Sequence, residues 1–251
     1  MTTPAKRLNS IEALRFLFML TICYWHCYGS DGLLKHGYMP VEWFFVLSGI
    51  LMYKSYITHP KEGVLDYTIR KYLRFAPLYL IVMGYCYIRY GILPPLVEWK
   101  VFDSDFLLKS LPEALMLQDC GIFFGGVNYP LWYLCALLWG GALCYSLLRC
   151  YKHKALSLIF PLIIFTGYTY LFNYNNGNIQ VWDVVGGIKL TMLRGICGIS
   201  LGVVLGHFME KKHDIINNHN RFVDFISILS LIFFVVFLFA KTNYDNYGLI
   251  T

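Results

Sequence analysis

Seven stretches of the 251-residue chain, roughly 11–29, 41–58, 72–93, 131–150, 155–173, 190–209 and 222–240, stay apolar. Each comes close to the ~20 residues that a helix needs to cross the hydrocarbon core of a bilayer. Lipid offers no partner to a backbone N–H or C=O, so segments of this kind fold as helices that answer their own polar groups. Composition agrees: only 14% of the residues are charged, against about 25% in soluble domains. The 20 tyrosines and 19 phenylalanines suit membrane interfaces. The expected fold is an all-α polytopic membrane protein, a single integral-membrane domain over 1–251 with about seven transmembrane helices. The first apolar stretch contains Arg15 and lacks a small-residue cleavage site, so it reads as a retained signal anchor.

Charge sets the orientation. Most of the 21 basic residues fall in stretches that lie on one side when the N-terminus is cytoplasmic, among them Lys6, Arg7, Lys54, Lys61, Arg70, Lys71, Arg74, Arg149, Lys152, Lys154, Lys211 and Lys212. Most carboxylates, including Asp31, Glu98, Asp103, Asp105, Glu113 and Asp119, fall on the other side. That asymmetry is the positive-inside pattern, and it accounts for the net charge of +6 without nucleic acid as a partner. The eight cysteines contain no C-x-x-C pair, so they read as reduced thiols, with neither a metal site nor a disulfide framework indicated. Within the long polar stretch 94–130, residues 105–118 alternate as an interfacial helix would.

Four clusters could carry chemistry. In the first helix, Glu12 and Arg15 are at i,i+3, where a carboxylate can hold a guanidinium and lower its cost in lipid. His26 returns to within about 20° of the face of Arg15, roughly 16 Å further along the axis. A neutral imidazole there suits a general base, or else an interfacial residue bonded to headgroups. In the second span, Glu42 precedes Phe44-Phe45-Val-Leu-Ser48-Gly49, whose small residues admit a neighbouring helix or a narrow ligand. Arg70 and Arg74, at i,i+4 on entering the third span, are either positive-inside anchors or a forked phosphate clamp. Trp132-Tyr133-Leu134 opens the fourth span, where an aromatic belt is the plain alternative.

Taken together, these elements resemble the membrane-bound acyltransferase-3 family, which O-acylates bacterial cell-surface sugars. The family's first helix carries an acidic residue, an arginine three positions on and a histidine after ten more, as Glu12, Arg15 and His26 stand here. Phe44-Phe45-Val-Leu-Ser48-Gly49 is similar to its FFxxSG element, and Arg70, Arg74 and Pro77 to its R-x-x-x-R-x-x-P element. Trp132-Tyr133-Leu134, and Leu193-Arg194-Gly195 followed by Gly198 and Gly202, are similar to later elements, so the likeness runs from about residue 8 to 209. Two departures stand out. Family members usually have about ten spans of about 20 residues each, which implies a truncated or fragmentary chain here. The fourth-span element also lacks the glutamate of many members, since Cys135 and Ala136 follow it.

The resemblance implies an acyl-CoA donor, usually acetyl-CoA, on the cytoplasmic side, and a carbohydrate hydroxyl as acceptor on the outer side of a bacterial inner membrane. It implies no tightly bound cofactor and no metal. On that reading His26 acts as base, Arg15 steadies developing charge with Glu12 behind it, Arg70 and Arg74 hold donor phosphates, and the pantetheine arm passes Ser48 and Gly49. Glu42, Trp132 and Tyr133 belong to the acceptor side. A truncated, inactive remnant and a lipid-glycan transporter are the alternatives, the latter requiring more broken helices near the midplane.

Overall fold

The computed structural model describes residues 9–29, 33–34, 36–93, 110–121, 129–179 and 181–211. The chain is an all-α membrane protein. Seven helices are described: α1 (Asn9–Tyr28), α2 (Pro40–Thr58), α3 (Val64–Tyr87), the short α4 (Ser110–Ala114), α5 (Trp132–Tyr151), α6 (Ala155–Tyr174) and α7 (Leu190–Lys211). α5, α6 and α7 are long and apolar enough to cross a membrane. The expected stretch 222–240 lies outside the described residues.

The chain divides into two units, 1–44 with 211–251, and 45–210. In the first, α1 is held by aromatic edges: Phe18 meets Trp43 at 5.0 Å and Phe44 at 6.5 Å, and Trp25 meets Tyr38 at 5.7 Å. The Leu33 N–H donates to the Tyr24 hydroxyl, which brings the chain after α1 back alongside it.

In the second unit, α2 and α7 approach until their backbones touch. Gly195, Gly198, Gly202 and Gly206 form one stripe on α7, facing Phe45, Val46, Gly49 and Tyr53 of α2. A methyl group on Gly49 would run into the carbonyl oxygen of Ile199 and lie 2.8 Å from the Gly202 Cα. Small residues at such spacing are how helices pack closely in lipid, where dispersion replaces the hydrophobic drive. The space beside Ser48–Gly49, expected to admit a helix or a narrow ligand, is filled at Gly49 by α7.

The ends of the elements follow local chemistry. The Asp66 side chain accepts the Gly63 N–H at the start of α3 (3.3 Å), answering one of the donors a helix start leaves open. Strands β1 (Val184–Val185) and β2 (Ile188–Lys189) pair antiparallel across Gly186-Gly187, with φ of 58° and 81°. A two-residue hairpin turn with positive φ at both positions favours glycine.

Residues 110–121 are not the surface-lying interfacial helix that the alternation suggested. Within the described part only α4 is helical, and Glu113, Met116, Gln118 and Asp119 are buried. The segment packs along α3 between Tyr72 and Tyr87, a length of about 22 Å. Side chains answer its backbone: Tyr72 donates to the Ala114 carbonyl (3.0 Å), Tyr79 to that of Glu113 (2.6 Å) and Trp139 to that of Leu115 (3.1 Å). Irregular backbone is stable beside apolar helices only where protein supplies such partners. Of the polar positions in the described part, Glu113 and Gln118 therefore face partners inside the protein.

Candidate active site

α1 places its three candidates on one rod. Arg15 Nη1 donates to Glu12 Oε1 at 3.1 Å, the local i,i+3 pair. His26 stands exposed in the last turn, its ring edge-on to that of Trp25 at 5.4 Å. The imidazole is open to a ligand, and helix geometry keeps it roughly 16 Å from Arg15, too far for direct contact. Glu42 sits in the first turn of α2, within the same unit.

The basic entry to α3 is built differently from a simple pair of arginines. Arg70 closes its fork on Glu62, donating from Nε to Oε1 at 2.8 Å and from Nη2 to Oε2 at 2.9 Å, with a further bond to Ser55 Oγ at 2.9 Å. The planar guanidinium matches a carboxylate in this bidentate way. The fork expected to hold a phosphate with Arg74 is thus occupied by a carboxylate of the chain itself, while Arg74 is exposed. Glu62 also accepts from the Tyr145 hydroxyl at 3.2 Å. Burial alone would raise the Glu62 carboxyl, but the Arg70 hydrogen bond and charge, aided by Tyr145, hold it below its ordinary value. Arg149 completes the seam, donating to the Pro60 carbonyl (2.8 Å) and the Tyr145 hydroxyl (3.1 Å from Nε).

Between the two arginines, Lys71 turns inward. Its ammonium donates to Ser48 Oγ at 3.0 Å and lies 5.3 Å from the centroid of the Tyr67 ring. Tyr67 is buried and stacked on Tyr145 at 4.0 Å with the planes 8° apart. A carbon added at Gly141 of α5 would lie 3.7 Å from the Lys71 nitrogen. Ser48, expected on the donor path, is therefore joined to Lys71, which the sequence reading passed over. The signal was present: in a helix Lys71 sits about 100° from Arg70 and about 60° from Arg74, to one side of the pair.

Trp132 is buried, with Trp182 at 5.3 Å, Phe45 at 6.1 Å and the Arg194 guanidinium 5.5 Å from its centroid. Tyr133 is only partly buried and meets Phe45 at 4.8 Å. Arg194 is itself 1% exposed within α7. A cation buried in an apolar helix carries the same functional signal as Arg15, and the sequence reading gave it no site role. Asp119 forms a second buried group, accepting from Lys189 Nζ at 2.6 Å and Thr191 Oγ1 at 2.9 Å.

A family model described as an acyltransferase domain, acyltransferase-3, matches residues 8–250. The chain belongs to the acyltransferase-3 family. No curated protein and no solved structure matches it. As an acyltransferase-3 membrane protein it is an acyltransferase, and its polar groups fall into two sets. Glu12, Arg15, His26 and Glu42 belong to one unit. Ser48, Gly49, Arg70, Arg74, Trp132 and Tyr133 belong to the other, where Lys71 and Phe45 tie several of them together.

Proposed function

We propose that this acyltransferase moves a short acyl group, acetyl in the simplest case, from cytoplasmic acyl-CoA to a hydroxyl of a cell-surface or lipid-linked carbohydrate, in a bacterial inner membrane. The observation that carries the reading is the arrangement on α1. An exposed imidazole at one end and a carboxylate-supported guanidinium toward the other share a helix in a protein of this family.

His26 in its neutral form takes the proton of the acceptor hydroxyl as that oxygen attacks the thioester carbonyl carbon. The tetrahedral oxyanion collapses, the carbon–sulfur bond breaks, and the thiolate leaves with a proton returned from the imidazolium or from water. Arg15, steadied by Glu12, offers donor N–H groups to charge on the donor arm. Arg74 meets the donor's phosphates at the inner face, since Arg70 is engaged with Glu62, and Lys71, turned inward onto Ser48, serves the donor arm; Glu42 and Tyr133 serve the acceptor side.

The test replaces His26 by Ala and follows O-acyl signals in NMR spectra of the surface glycan. The signals disappear while the protein remains in the membrane at wild-type level. Persistence of the signals in the His26→Ala strain removes His26 from the chemistry.

A further inference from the structure

The polar segment 110–121 ends beside α5, and there Cys120 Sγ lies 3.6 Å from Cys135 Sγ. Cys135 is fully buried one turn into α5; Cys120 is partly exposed on irregular backbone. The two residues before Cys120 are held in place. Gln118 donates to the Leu131 carbonyl at 3.2 Å, and the Asp119 carboxylate is held by Lys189 and Thr191. Two thiols are thus kept adjacent by neighbours that do not involve sulfur. A disulfide needs an S–S separation of about 2.05 Å, so the sulfurs must close by roughly 1.5 Å. Rotation of the Cys120 side chain can supply much of that movement.

We propose that Cys120 and Cys135 are a disulfide site that joins the 110–121 segment to α5. The inference rests on the orientation read from loop charge, which places the stretch 94–130 and the start of α5 on the outer side, where thiols meet oxidants and disulfides persist. The oxidant class is a disulfide carrier. The Cys120 thiolate, the more accessible of the two, attacks one sulfur of the carrier and expels the other as a thiolate. Cys135 then attacks Cys120 Sγ and releases the second carrier thiolate. One S–S bond forms in the protein, one is lost from the carrier, and the two thiol protons pass to the reduced carrier.

The experiment is differential alkylation of the full chain. Cells are lysed in denaturant containing a first maleimide, the protein is reduced, and a second maleimide of different mass is added before peptide mass spectrometry. Cys120 and Cys135 carry only the second label, and Cys144 and Cys197 carry the first. In Cys120→Ser, Cys135 changes to the first label. First label on both Cys120 and Cys135 in the wild-type chain overturns the proposal, as does a Cys135 that stays protected when Cys120 is replaced.

Discussion

Gly49→Ala separates two roles for the seam between α2 and α7. A methyl group at residue 49 meets the Ile199 carbonyl and sits 2.8 Å from the Gly202 Cα and the Val203 nitrogen. Carbon contacts are comfortable at about 3.5–4.0 Å, and backbone atoms cannot rotate aside, so the helices part by roughly 1 Å. A gap of that size forfeits about a quarter to a half of each facing contact, worth about 0.1–0.2 kcal/mol apiece. Phe45, Ile199 and Val203 beside the seam are fully buried. With about 20 contacts each across it, some 60 contacts lose about 2–6 kcal/mol in all. The better helix propensity of alanine returns about 1 kcal/mol, leaving a net loss of about 1–5 kcal/mol, which brackets the usual range for overpacking. Thermal unfolding of detergent-solubilised protein, followed by tryptophan fluorescence, reads that loss as a lowered midpoint. The donor KM, measured well below the transition, stays at the wild-type value. Gly202→Ala behaves alike, and the double variant loses less than the sum, because the second methyl enters a seam already parted. An unchanged midpoint with a raised donor KM refutes the reasoning and returns Gly49 to a donor passage.

Three other perturbations address different contacts. Lys71→Met removes an ammonium from Ser48 and Tyr67, and titration calorimetry with a non-hydrolysable acyl-CoA analogue shows about 10- to 100-fold weaker binding, the worth of a charge-assisted hydrogen bond; equal affinity dismisses Lys71 from the donor site. The Glu62 carboxyl is held below its ordinary value of 4.5 when folded. Its contribution to stability is therefore complete above pH 4.5 and disappears as the pH falls through the lower folded value. Glu62→Gln lowers the melting midpoint at neutral pH and makes its decline in acid shallower, and an identical acid profile in the variant contradicts the assignment. Tyr79→Phe removes the phenol's bond to the Glu113 carbonyl, which keeps the Met116 N–H as its other donor, at a cost of about 0.5–1.5 kcal/mol, and limited proteolysis then cuts within 110–121 faster than in the parent chain; equal rates contradict the anchoring role of the phenol.

What was legible in the sequence was local. Apolar runs flanked by charge mark the long helices because a bilayer imposes their length, and the Glu12–Arg15 pair lies one helical turn apart. The pairing of Arg70 with Glu62 was not legible, because a guanidinium reaches a carboxylate eight residues back only through the bend at Pro60–Gly63. Lys71 with Ser48, and Arg149 with the Pro60 carbonyl, require helices that are neighbours in space and distant in sequence. The hairpin at Val184–Lys189 carried a glycine-pair signal that the reading of 174–189 as a polar stretch passed over.

The 110–121 segment shows why alternation alone misleads. An alternating pattern states that two faces differ, and leaves open whether the polar face meets water or protein. Tyr72, Tyr79 and Tyr87 recur at seven- and eight-residue intervals and line one face of α3, where they resemble interfacial aromatics. Their hydroxyls decide the matter: those of Tyr72 and Tyr79 donate to backbone carbonyls, and that of Tyr87 to Glu113 Oε2 at 2.8 Å. A row of phenols along an apolar helix is therefore a sign that polar backbone packs beside it. The same logic narrows the donor site. With Arg70 closed on Glu62 and Gly49 on α7, the proposed donor keeps the exposed Arg74 for its phosphates, while Lys71 is turned inward onto Ser48.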